Sequence, residues 1–256
     1  MSTLVFLHAH PDDEATITGG TMALASALGH RVVWICCTDG SLGSQTGDAD
    51  ESVSEVRRRE AQRSAEILGV SRLVFLDHQD SGMHGWASNQ DPDAFMNVDP
   101  HEVGRVVADI LDEESADVLV GYDWHGNYGH PDHIMVHKVM NAAAEQAASR
   151  PRVLQVTMNR DAMRAGYDPE VGGIDPDAEA DDGNPFGTPE SEIAWKVNVS
   201  EVITRKLAAL GAHDSQEDAR RLLSLPESYL ALAFRHEYFI EDGVAPMREA
   251  WPFGNR

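Results

Sequence analysis

Leu4-Val5-Phe6-Leu7-His8-Ala9-His10-Pro11-Asp12-Asp13-Glu14 is the stretch that decides the fold of this chain. A short, continuous apolar run ends abruptly in one imidazole and three carboxylates. The run has the length and composition of a strand covered on both faces. Similar runs follow at 32–38, 73–77, 118–122 and 153–158, and helical patterns lie between them at 18–28, 52–68, 101–114 and 132–148. Gly29 and Gly69 stand where two of those helices should stop. This alternation predicts an α/β, Rossmann-like three-layer fold, a mainly parallel sheet flanked by helices. Ligands of such folds bind at the carboxyl ends of the strands, so the residues just after each strand carry the functional information.

Two such segments stand out. The carboxylates of His10-Pro11-Asp12-Asp13-Glu14 repel one another unless something positive sits among them, and His and Asp are suitable ligands for a divalent cation. The plain reading is a helix cap, with Asp12 or Asp13 at the N-terminus of the next helix. The second segment, Tyr122-Asp123-Trp124-His125-Gly126-Asn127-Tyr128-Gly129-His130-Pro131-Asp132-His133, follows the fourth strand. Pro131 suits the first position of a helix, which puts His133 in its first turn. If strands one and four are neighbours, His10, Asp13 and His133 meet and leave a coordination position open, as catalytic rather than structural sites do. His130 and the His133/His137 pair are competing ligands that spacing does not separate. His8, His30, His101, His137 and His236 are read as ordinary core or surface imidazoles.

The pairing of His-Pro-Asp-Asp-Glu with a later His-Pro-Asp-His resembles the PIG-L/LmbE-type metal-dependent N-deacetylases, which act on N-acetylglucosamine-containing substrates, and most closely those of the mycothiol pathway. The likeness extends through Asp80-Ser81-Gly82-Met83 and Ala212-His213-Asp214-Ser215-Gln216 and covers most of the chain. It implies His10, Asp13 and His133 as ligands of Zn2+, with iron or another divalent metal possible. It implies Asp12 as general base, His130 as the imidazole that stabilises or protonates the transition state, Asp132 as the carboxylate that orients an imidazole, and Tyr128 as a mobile phenol near the scissile amide. Arg57 and Asp80 fall where the family grips sugar hydroxyls, and His213 lies in a motif near the site. Arg57 reads otherwise as a solvated residue of a charged helix, and Asp80-Ser81-Gly82 as a turn. In amide hydrolysis the leaving nitrogen receives its proton either back from Asp12 or from a protonated His130. A carboxylate at Asp132 raises the pKa of a nearby imidazole, which favours the second route.

The expected activity is removal of an N-acetyl group from an N-acetylated amino sugar. The alternative is an amidase that cuts a larger acyl group from a glucosaminyl conjugate. Ala15-Thr16-Ile17-Thr18-Gly19-Gly20 lacks the lysine sought in such amidases. A remote alternative, a non-catalytic sugar-binding protein, predicts damaged metal or base positions, and all of them match.

Composition narrows the partners. The chain has 256 residues, with 43 acidic against 20 basic ones, a formal charge of −23. Lysine occurs only at 138, 196 and 206. Such a surface excludes nucleic acid and anionic membranes as partners. No run approaches the ~20 apolar residues of a membrane span. No leader segment is legible, and the adjacent Cys36 and Cys37 read as buried strand thiols, so a cytoplasmic protein of one domain is expected. Residues 168–192 hold nine carboxylates and no Lys or Arg, and read as a long irregular loop, a lid or a solvated insertion. A strand at 193–199 and helices at 200–211 and 215–223 close the fold.

Overall fold

The computed structural model describes residues 1–44, 51–167, 175, 178–180, 183–245 and 248–253. Its strands are β1 (Thr3–His8), β2 (Arg31–Thr38), β3 (Arg72–His78), β4 (Val118–Tyr122), β5 (Arg152–Thr157), β6 (Trp195–Asn198), β7 (His236–Ile240) and β8 (Arg248–Glu249). They form one sheet in the order β3-β2-β1-β4-β5-β7-β6-β8. The first five are parallel, and β7 runs antiparallel to β5 and β6. The helices are α1 (Gly19–Ala27), α2 (Val53–Leu68), α3 (Pro100–Glu113), a short turn α4 (Gly126–Gly129), α5 (Pro131–Gln146), α6 (Arg160–Gly166), α7 (Ile203–Gly211), α8 (Glu217–Leu223) and α9 (Glu227–Ala233).

The apolar runs form strands because both their faces are covered. Leu4, Val5, Phe6 and Leu7 of β1, and Val32 to Cys37 of β2, have no exposed surface. Helices α1, α2 and α7 pack together, as do α3 and α5. Cys36 and Cys37 are unpaired thiols buried in β2. The predicted helix limits hold because the local stop and start signals are used. Ser52 and Glu55 form a reciprocal capping box at α2, Gly69 ends that helix in the left-handed conformation at φ 77°, and Pro131 opens α5.

Strand order reverses between β1 and β4, which are hydrogen-bonded neighbours in register Leu4↔Val118 to Phe6↔Val120. Both chains leave the sheet at the same end, so the two motifs face one another across the switch point. Between β1 and α1 the chain makes a π-turn over Glu14–Thr18. Asp13 precedes that turn, but its side chain caps nothing. Of the acidic loop expected at 168–192, residues 168–174, 176, 177, 181 and 182 lie outside the described residues. The described end is irregular, with a bridge from Asn159 to Thr188 and one 3₁₀ turn at Glu190–Glu192.

One ion pair ties α1 and α7 to β7. Glu237 of β7 accepts from the amides of Gly20 (2.8 Å) and Thr21 (2.7 Å), and Lys206 of α7 donates to it at 2.6 Å. Both side chains are almost wholly buried. Removing one member of a buried pair leaves the other charge uncompensated and costs about 3–5 kcal/mol. Lys206→Met should therefore destabilise the protein by roughly the lower end of that range, about 3 kcal/mol, since two amides still hold Glu237. Equilibrium denaturation in urea measures it, and a change below about 1 kcal/mol contradicts this role.

Candidate active site

His10, Asp12 and Asp13 leave the end of β1, Asp80 follows β3, and His130, Asp132 and His133 open α5. The structure gathers all seven. Asp13 lies between two imidazoles. Its Oδ2 is 3.2 Å from His10 Nδ1 and accepts from the His10 amide at 2.7 Å, while Oδ1 is 3.3 Å from His133 Nε2. His10 Nε2 is 3.1 Å from Asp132 Oδ2 and 3.6 Å from Asp80 Oδ1. Ser81 holds Asp132 in turn, through its amide at 3.0 Å and its hydroxyl. Asp80 accepts from the amides of Gly82 (2.8 Å) and Leu42 (3.2 Å).

His133 is fully buried. Its Nδ1 is 3.2 Å from the carbonyl oxygen of Gly126, and its ring stacks on Tyr122 at 4.2 Å between centroids. Gly126 has φ 65°, and a Cβ there would come within 2.4 Å of His133 Cβ, so the approach needs glycine. The carbonyl accepts from Nδ1–H and thereby fixes the tautomer. Nε2 is left as a lone pair facing the site, and it has no hydrogen-bond partner among the described residues. A buried acceptor without a partner is costly. The same atom in the same tautomer is what a metal ligand requires.

Three further observations fit a metal ion. His10, His130 and His133 each bring a ring nitrogen into a group whose atoms lie within 4.8 Å of one another, and His10, Asp80 and Asp132 form a second such group. In the second group Asp80 and Asp132 are already satisfied by amides and Ser81, whereas His133 in the first is not. The Asp13 carboxylate spans the two imidazoles, with Oδ2 3.2 Å from His10 Nδ1 and Oδ1 3.3 Å from His133 Nε2, so all three side chains border one space. The donor set of imidazoles and one carboxylate suits zinc.

The electrostatics show how strongly the cavity attracts positive charge. Burial opposes protonation of His10, yet Asp80, Asp13 and Asp132 raise its pKa well above the usual imidazole value. Asp80, despite burial, is held well below the carboxylate range, chiefly by His10. Asp12 is different. Burial pushes its carboxyl up to about 6, against the pull of Arg57.

The imidazole that the Asp132 carboxylate engages is that of His10. His130 uses Nδ1 to accept from the Asp132 amide at 3.1 Å, as the cap of α5. Burial and the neighbouring His10 and His133 push the His130 pKa down, so the argument for a standing imidazolium at His130 fails. Arg57, Asp80 and His213, the positions expected to face the sugar, are all buried. Arg57 is buried and turned inward, donating to Gly40 O (2.9 Å), Pro11 O (2.5 Å) and Asp12 Oδ2 (2.9 Å). His213 has no exposed surface and reaches Glu14 Oε1 at 2.8 Å. Asp80 is buried beside His10. Tyr128, half-buried, sets its ring edge-on to His133 at 5.0 Å between centroids. The sequence reading placed Glu14, Ser81 and Tyr122 in its motifs without a role, and did not single out Ser64. The third carboxylate of His-Pro-Asp-Asp-Glu was the signal for Glu14. His8 is an ordinary core imidazole, bonded to Thr18 (2.7 Å) and Tyr122 (3.2 Å).

The sequence profile of the GlcNAc-PI de-N-acetylase (PIG-L) family matches residues 5–144, a span that holds both motifs. This chain belongs to the PIG-L family. Among curated relatives it is 36% identical, over 230 residues, to the 1D-myo-inositol 2-acetamido-2-deoxy-alpha-D-glucopyranoside deacetylase of Saccharomonospora viridis, covering 83% of this chain and 84% of that one. Among solved structures it resembles the N,N'-diacetylchitobiose deacetylase of Pyrococcus horikoshii (TM-score 0.58, 22% identity, 94% of this chain and 84% of that one). It also resembles GalB, a 4-carboxy-2-hydroxymuconate hydratase from Pseudomonas putida (TM-score 0.59, 16% identity, 98% and 100%). The fold thus serves more than one chemistry, and the site must carry the functional argument.

Metal binding tests the site directly. Zn2+ at about 100 times its Kd should stabilise the wild-type chain by about 2.7 kcal/mol. His133→Ala should abolish that gain, as read from thermal melts with and without the ion. An equal gain in the variant contradicts the assignment of His133.

Proposed function

We propose that this chain is a zinc-dependent hydrolase that removes the acetyl group from an N-acetylglucosamine-containing substrate, with His10, Asp13 and His133 as metal ligands. The observation that carries the proposal is the unpartnered Nε2 of His133, fixed in its tautomer by Gly126 and facing Asp13 in a cavity crowded with carboxylates. Family membership and the deacetylase relatives support the reaction class. The bound ion would supply Lewis acidity to the amide carbonyl and make water acidic enough to attack at neutral pH.

The chain's own residues do the rest. Burial lifts the Asp12 carboxyl to about 6, and a base poised there accepts the proton of the attacking water. Its side chain retains 26% exposure, so it faces the substrate side while Arg57 holds its Oδ2. With burial pushing the His130 pKa down, Asp12 is the residue that returns the proton to the departing amine. Tyr128, edge-on to His133, and His130, its ring tilted 31° to His133 at 4.9 Å between centroids, line the place where negative charge develops on the carbonyl oxygen, and an imidazole N–H and a phenol are donors suited to it. Asp132, anchored by Ser81, orients His10. Asp80 fixes the turn beside that imidazole. The substrate is a small amino-sugar derivative and not a polyanion, in keeping with the charge of −23. No helix among the described residues is long and apolar enough to cross a membrane, and the two free buried thiols accord with a cytoplasmic setting.

An acetate-release assay on a panel of N-acetylglucosaminides tests the function. Activity should vanish on chelation and return with Zn2+. Asp12→Ala should retain the ion yet lose at least about 10²-fold in turnover. Metal-loaded protein that releases no acetate from any panel member, or an Asp12→Ala variant with full turnover, contradicts the proposal.

A further inference from the structure

Asp12 has φ 115°, a conformation that a residue with a side chain rarely adopts. Such strain persists only where the surroundings over-determine it. Here the peptide joining Pro11 to Asp12 is gripped at both ends. Its carbonyl oxygen accepts from Arg57 Nη2 at 2.5 Å, and its N–H donates to Glu14 Oε2 at 2.9 Å. The other oxygen of Glu14 is held by His213 Nε2 at 2.8 Å and by the Ser64 hydroxyl. Glu14, Ser64 and His213 have no exposed surface.

The supports of this grip are themselves fixed. Arg57, Glu60 and Ser64 recur at helical spacing on α2, and all three are buried. An inward helix face is normally apolar, so a buried polar stripe there must satisfy specific partners. Glu60 accepts from the amide (2.8 Å) and hydroxyl (2.7 Å) of Ser215, and Arg63 donates to Ala212 O at 3.1 Å. The segment Ala212-His213-Asp214-Ser215-Gln216 is thereby pinned to α2 with His213 delivered to Glu14. Arg57 also donates to the Asp12 carboxylate at 2.9 Å. The polar groups of this arrangement converge on Asp12.

We infer that Glu14 and His213, braced by the inward stripe of α2, are positioning residues that hold the strained Asp12 peptide and so aim the Asp12 carboxylate at the attacking water. The inference rests on the reading of Asp12 as general base. It assigns the Ala212–Gln216 motif a role behind the site, away from the substrate.

The test compares five variants on the zinc-loaded full-length chain. Glu14→Ala should lower kcat by about 10²-fold, the cost of a small misplacement of a reacting group. Its KM and bound-zinc stoichiometry should match wild type. Glu14→Gln should recover most of that loss, because an amide oxygen still accepts from the Asp12 N–H while its NH2 donates to a His213 that has switched tautomer. His213→Leu should lower kcat in the same direction and remains informative if Glu14→Ala does not fold. Lys206→Met, which breaks a buried ion pair elsewhere, should lower the melting temperature without lowering kcat. Wild-type kcat in both Glu14→Ala and His213→Leu overturns the inference. So does a loss of kcat that Lys206→Met reproduces at equal loss of melting temperature, or one explained entirely by lost zinc. Asp12→Ala separates the two claims. If it is active, the reading of the base fails. If it is inactive while the Glu14 and His213 variants are active, only the positioning role fails.

Discussion

The parallel pairing of β1 with β4 is the constraint on which the rest depends. It forces two chain segments, each ending in imidazoles and carboxylates, to leave the sheet side by side. Four aspartates then share a small volume that includes Asp12, Asp13, Asp80 and Asp132. The protein offsets their repulsion with Arg57, with amides of the loops after β2 and β3, and with the His10 imidazole, whose pKa these carboxylates raise. Among the described residues, His133 Nε2 is a buried ring nitrogen of this cluster left without a hydrogen bond. A cavity that is negative overall, yet contains an imidazole nitrogen with no proton and no donor, is complementary to a cation and to little else.

Much of this was legible in the sequence. The five parallel strands announced themselves as continuous apolar runs because the fold buries both their faces. The two motifs were legible because they sit directly at strand ends. β7 was not, since His236-Glu237-Tyr238-Phe239-Ile240 carries a buried carboxylate where a strand pattern calls for an apolar side chain. Glu237 is there to take the amides of Gly20 and Thr21 and the ammonium of Lys206, a tertiary arrangement that no local pattern encodes. The π-turn after Asp13 has no sequence signature either, and it is what frees the Asp13 carboxylate from capping duty.

Arg57 shows the same limit within the site. Three consecutive arginines on a charged helix look solvated, and Arg58 and Arg59 do pair with Asp77 and Glu51 at the surface. Arg57 alone of the three shares a face with Glu60, Ser64 and the apolar Ala61, Ala65 and Leu68. Reading that periodicity would have turned it inward. The acidic composition divides similarly. Asp13, Glu14, Glu60, Asp80, Asp132 and Glu237 are buried with specific donors, while most of the remaining carboxylates are solvated. The charge that describes the surface is chemically distinct from the charge that builds the site.

The central claim is that the end of β1 and the start of α5 form one metal centre. Anomalous X-ray diffraction at the zinc edge, on crystals of the zinc-loaded protein, tests it most directly. The account predicts a strong peak at about 2.0–2.2 Å from His133 Nε2, a carboxylate oxygen of Asp13 and a ring nitrogen of His10. A peak confined to surface carboxylates, or none in this cavity with His133 Nε2 hydrogen-bonded to a neighbour, would contradict it.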